Sequence, residues 1–112
     1  MAEEKTMEEL IRAAVLPIVP VCDPVTYDGD AKEYCTYNMT EIPVHFGDNA
    51  PEAIRYLVQV HWYLPVGVNP TAKKRRLKRA LAEIGTYPEV ENASNLEGQR
   101  FVFEFEAVDG DV

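Results

Sequence analysis

The chain is expected to fold as an α+β domain: a mostly antiparallel sheet of about four to five strands with two helices packed on one face. Three observations predict this. Residues 53–65 alternate between apolar and mixed positions over the longest strand-like stretch in the chain. Two other stretches, 7–16 and 70–84, repeat apolar residues at helical spacing, and Phe101, Phe103 and Phe105 alternate near the end. The element order is helix, strand, strand, helix, strand, strand, within a single domain spanning 1–112, with 109–112 read as a frayed tail.

The first helix is signalled by Thr6-Met7-Glu8-Glu9, a capping box in which the Thr6 hydroxyl and the Glu9 carboxylate satisfy each other's backbone N–H groups. Met7, Leu10, Ile11, Ala14 and Val15 form its apolar stripe, and Pro17 and Pro20 stop it. A proline-punctuated connection follows to Asp30, with 18–22 expected to be extended and Asp28-Gly29 marking a tight turn. The aspartates around Gly29 lack the later ligands of a calcium loop, so the stretch reads as a solvated turn.

Residues 32–42 are rich in strand formers. A loop at 44–51, broken by Gly47-Asp48-Asn49, leads into the central strand, and the two strands are expected to pair antiparallel because that needs no crossover. On the central strand Ile54, Tyr56, Val58, Val60, Trp62 and Leu64 make the core face, while Arg55, Leu57, Gln59, His61 and Tyr63 make a mixed face.

The second helix is expected to start with Asn69 as cap and Pro70 at the first helical position. It buries Leu77, Ala80, Leu81 and Ile84, and ends at Gly85. Only Lys73 of its basic residues is expected near the apolar side, with the others on the exposed arc. Strands at 86–92 and 99–108 close the chain, and each phenylalanine of the last one contributes about 2 kcal/mol if fully buried.

Charge is segregated. The net charge is −8, yet six of the eleven Lys and Arg residues lie between Lys73 and Arg79. Outside 70–84, five basic residues face eighteen acidic ones, a balance of −13. Such a body can bind copies of itself head to tail, a basic surface meeting a neighbour's acidic one. The basic helix accordingly reads as a protein interface, a solvated face or, against the field of the whole molecule, a phosphate grip. Lys74, Arg75, Arg76, Lys78 and Arg79 are the interface candidates on it, and Arg55, Gln59, His61 and Tyr63 form a second candidate surface.

Catalytic patterns are not found. The six glycines are scattered, no nucleophile elbow or His-Glu-x-x-His occurs, and His45 and His61 read as polar surface or interface residues. Cys22 and Cys35 lack metal-ligand spacing and read as reduced, small apolar residues. No metal or cofactor is expected. An acidic first segment and the lack of a long apolar run point away from export and from a membrane, toward a soluble domain.

The order of these elements, with Tyr34-Cys35-Thr36-Tyr37-Asn38, Tyr56-Leu57-Val58-Gln59-Val60-His61-Trp62-Tyr63 and Asn69-Pro70-Thr71-Ala72-Lys73-Lys74-Arg75-Arg76, resembles the tail terminator, or tail completion, proteins of long-tailed bacteriophages and related prophages. The resemblance covers nearly the whole chain and rests on element order and texture. It implies a small α+β subunit, with no enzymatic activity or cofactor, that forms a ring of about six copies capping the tail tube. The implied partners are further copies of itself, the tail tube protein and the head–tail connector, with DNA passing through the channel without specific binding. The implied location is the head-proximal end of the virion tail, assembled in the host cytoplasm. Head–tail adaptor or stopper ring proteins, similarly small, are the alternative, followed by a nucleic-acid-binding module using the basic helix. A charge-segregated monomer suits a closed head-to-tail ring, and an acidic remainder suits a wall past which DNA slides.

Overall fold

The structure is a computed structural model that describes residues 6–42 and 54–109. The elements are α1 (Met7–Val15), β1 (Cys22–Pro24), β2 (Tyr34–Ile42), β3 (Ile54–Leu64), α2 (Thr71–Ala82), β4 (Glu89–Asn92) and β5 (Gln99–Asp109). They make an α+β fold in which one five-stranded sheet runs β1-β2-β3-β5-β4. β3 is its middle strand. It pairs antiparallel with β2 along Tyr34↔Tyr63 to Ile42↔Arg55, and with β5 along Ile54↔Asp109 to Leu64↔Gln99. Since α2 carries the chain from β3 to the far edge, β5 returns to fill the gap between β3 and β4. The loop expected at 44–51, His45 within it, and the tail at 110–112 lie outside the described residues; β5 itself continues to Asp109.

The alternation read along β3 is the layering of the molecule. Val58, Val60, Trp62 and Leu64 are buried with Cys35 and Tyr37 of β2 and Phe101, Phe103, Phe105 and Ala107 of β5. Register explains the grouping, because Cys35, Trp62 and Phe101 sit side by side across three strands, as do Tyr37, Val60 and Phe103. Both helices cover this face: α1 contributes Met7, Ile11 and Val15, and α2 contributes Leu77 and Leu81, with Ala80 and Ile84 half-buried beside them. Trp62 meets Phe101 and Phe103 in tilted contacts, with ring centroids 5.6 and 6.4 Å apart.

Helix ends follow the sequence closely. The Thr6 hydroxyl accepts from Glu9 N–H at 3.2 Å while Glu9 Oε1 accepts from Thr6 N–H at 3.3 Å, completing the capping box. At α2 the start lies one residue later than expected. Pro70 occupies the cap position, and Asn69 Oδ1 accepts from Thr71 N–H at 3.0 Å. Gly85 does follow α2, but for a different reason than a left-handed cap: a Cβ there would run into the Glu106 carbonyl, and Thr86 N–H donates to that same oxygen at 2.8 Å. Close approach of the helix exit to β5 is what excludes a larger residue.

The connection after α1 departs from expectation. Of the stretch 18–22 only Cys22 is in a strand; Ile18 and Val19 N–H groups both donate to the Val15 carbonyl, so the chain keeps turning and buries both side chains. The extended piece is β1, three residues later in its centre, and it runs parallel to β2 with Cys22 beside Cys35. It ends at Val25, a β-branched residue at φ 62°, where Thr26 N–H donates back to the Pro24 carbonyl. Tyr27 then folds over Gly29, where a side chain would strike the phenol ring, and its hydroxyl accepts from Ala31 N–H at 2.9 Å.

Candidate interaction surfaces

The interface candidates fall on opposite sides of the molecule. Lys74, Arg75, Arg76, Lys78 and Arg79 belong to α2, which covers the core face of the sheet, whereas Arg55, Gln59, His61 and Tyr63 lie on the opposite face, which neither α1 nor α2 covers. They make two surfaces.

On α2 the expected separation of Lys73 from the rest is observed. Lys73 Nζ reaches Glu33 Oε1 at 2.8 Å, over the buried edge. The expectation that the other five all ride the exposed arc needs correction, because Lys74 lies half-buried with its Nζ 5.1 Å from the Phe101 ring centroid, and Lys78 is half-buried too. Each stands three residues before a fully buried leucine, Leu77 or Leu81, which places it at the rim of the core. Arg75, Arg76 and Arg79 are exposed. Among the described residues they make no ion pair. Adjacent guanidinium groups with no carboxylate partner repel one another, which a partner's acidic surface would relieve.

On the open face, cross-strand pairing sorts the side chains into three groups. Arg55 reaches diagonally to Glu106, two residues from its register partner, with Nε 3.8 Å from Oε1. Gln59 Nε2 donates to Glu104 Oε2 at 2.9 Å. At the upper end Tyr63 stacks on Tyr34, centroids 4.6 Å apart, Tyr34 meets Tyr27 at 4.7 Å, and Arg100 places its guanidinium 5.6 Å from the Tyr63 ring centre. Arg100 also donates to His61 Nδ1, from Nε at 3.3 Å and Nη2 at 2.8 Å. Burial first, and the Arg100 charge second, hold the His61 pKa below its ordinary value.

Beyond these groups the open face turns acidic. Glu89 and Glu91 of β4 are exposed on it, and Glu89 lies directly opposite Glu104 of β5. Together with Glu106 they give that side a negative strip, on the reverse of the sheet from α2.

Arg100, Tyr34, Glu89, Glu91, Glu104 and Glu106 are members of this face that the sequence did not single out. The period-2 pattern of β5 did put Arg100 and Glu104 on its wet side, but their partners depend on strand register, which the pattern leaves free. The remaining polar cores are structural: Tyr37 donates to Glu8 Oε2 at 3.2 Å, and burial followed by the Glu8 charge pushes its pKa up to about 12. Among the described residues no three His, Cys, Asp or Glu side chains are grouped to hold a metal ion, and no helix is long and apolar enough to cross a membrane. In comparison with known proteins, no family model and no curated protein matches the chain.

Proposed function

We propose that the chain is a structural subunit of a phage tail, a terminator that assembles head to tail into a ring of about six copies on the end of the tail tube. In this reading the ring stops tube polymerisation and offers a surface to the head–tail connector at the head-proximal end of the virion, and the protein performs no catalysis and carries no cofactor. The observation that carries it is the two-sided charge of the folded subunit. Among the described residues Arg75, Arg76 and Arg79 make no ion pair on the outer side of α2, while Glu89, Glu91, Glu104 and Glu106 occupy the reverse face of the sheet, which neither α1 nor α2 covers.

Opposite charge on opposite sides favours a heterologous contact over a self-complementary one, because a two-fold pair would set each surface against its own like charge. Repeated around a closing rotation, the contact uses every basic surface and every acidic one. A net charge of −8 further supports a channel through which DNA slides without sticking.

The test is the solution mass of the purified protein at low and moderate salt, by light scattering after size exclusion, with a negative-stain image of any large species. The reading expects a closed ring of about six copies, formed alone or on added tail tube protein, and loosened by salt. A chain that stays monomeric under all these conditions and instead binds duplex DNA with a steep salt dependence would overturn it.

A further inference from the structure

Arg100 is placed unlike the other cations of the chain. It sits opposite Tyr63 in the β3–β5 register, its guanidinium rests on the Tyr63 ring, and two of its N–H groups point at His61 Nδ1. A ring nitrogen that accepts from a guanidinium carries no proton, so His61 is the neutral tautomer with its hydrogen on Nε2. Arg100 is thus gripped by an aromatic ring and a neutral imidazole, and its charge is left uncompensated. Among the described residues it belongs to no ion pair, and its other N–H groups have no partner.

Arg100 is also one of the residues lining a cavity of about 470 Å³, open to solvent, whose walls include Lys32, Tyr34, Tyr63, Glu97 and Gly98. The volume is in the range of small-ligand pockets. Its aromatic side is braced by the stack of Tyr27, Tyr34 and Tyr63. Gln99 fixes the neighbouring wall by donating to the Pro65 and Val68 carbonyls at 3.0 and 2.6 Å. Lys32, exposed and likewise without an ion-pair partner among the described residues, supplies a second positive charge to the walls.

We propose that this cavity is a binding site for a single carboxylate group, held by the free edge of the Arg100 guanidinium with Lys32 as the second cation. The planar, singly charged group matches the guanidinium fork. A phosphate dianion fits less well, because Glu97 stands in the same wall and the molecule as a whole is negative. The stacked rings hold the arginine in place before the ligand arrives, which lowers the entropy lost on binding. The carboxylate can come from a free organic acid or from an acidic side chain of a protein, and the site does not depend on ring formation.

The experiment is an NMR titration of the ¹⁵N-labelled full chain, at constant ionic strength, with sodium benzoate, with N-acetyl-glutamate amide and with inorganic phosphate. Both carboxylates are expected to give saturable shifts at the Arg100 Nε and at the amides of Tyr63, Gly98 and Gln99. Saturation by benzoate alone assigns the site to a free aromatic acid, and saturation by the glutamate derivative to an acidic side chain. Arg100→Gln should weaken binding about tenfold or more, and Arg100→Lys by less, since it keeps the charge and loses the fork. Lys32→Gln, at an exposed position that leaves the fold alone, should weaken it by about threefold. Unchanged binding in both Arg100→Gln and Lys32→Gln, shifts that never saturate, or phosphate binding more tightly than either carboxylate would overturn the proposal.

Discussion

Lys73 Nζ of α2 lies 2.8 Å from Glu33 Oε1, and the same carboxylate accepts from the indole Nε1 of Trp62 through Oε2 at 3.1 Å. Glu33 thereby joins the first turn of α2 to the central strand and satisfies the donor of the largest fully buried side chain. Lys73 is withdrawn from the outer surface of the helix by this pairing, which leaves that surface to the three arginines.

Glu33 should therefore matter more to stability than Lys73. Glu33→Ala leaves the Trp62 N–H without its partner and is expected to cost about 1–3 kcal/mol. Lys73→Ala breaks an ion pair whose side chains are 40% and 22% exposed and should cost less than about 1 kcal/mol. Urea unfolding followed by Trp62 fluorescence measures both, and equal losses would contradict the role given to Glu33.

The His61–Arg100 contact makes stability depend on pH near neutrality. Because the folded pKa of His61 lies below 6.5, the unfolded chain takes up a proton first as pH falls. The contribution of the neutral imidazole is complete above about pH 6.5 and declines as pH drops through that value toward the folded pKa. Unfolding free energies of the wild type and His61→Gln, compared at about pH 7.5 and about pH 5.5, should show the extra acid loss in the wild type alone.

Cys22 and Cys35 are free, buried register partners on β1 and β2. Burial pushes the Cys22 thiol from 9.0 up to about 11 and raises that of Cys35 further. Both should react with iodoacetamide on the order of a hundredfold more slowly in the folded chain than in urea, because little thiolate is present. Equal labelling rates in the two states would show the sites to be accessible.

Glu89 faces Glu104 directly across β4 and β5. Like charges so placed are destabilising, so Glu89→Lys should stabilise the monomer by a few tenths up to about 1 kcal/mol. Under the ring reading the same change removes an acidic contact and weakens self-association. Denaturation and solution mass of this one variant should thus move in opposite senses.

Much of this fold is legible from local pattern. The alternation along β3, the phenylalanines of β5 and the Thr6–Glu9 box each carry their signal within a few residues, and each forms the element it implies. β1 is too short for a periodicity, and it pairs through a backbone that the proline-rich connection disguises. The contacts Glu33–Lys73, Tyr63–Arg100 and Gln59–Glu104 join residues far apart in sequence, so they follow from strand register and helix placement, which no local pattern encodes. The same limit applied on α2, where helical spacing separated Lys73 but could not foresee Phe101 beneath Lys74.

The central claim, that the outer side of α2 is an assembly surface, is tested most directly by the solution mass of Arg75→Glu/Arg76→Glu/Arg79→Glu beside the wild type, at low salt and with tail tube protein present. All three positions are exposed, so the variant should keep the wild-type circular dichroism spectrum and unfolding midpoint. The account predicts that it remains a monomer where the wild type forms a ring of about six copies. A variant that assembles as the wild type does would contradict it.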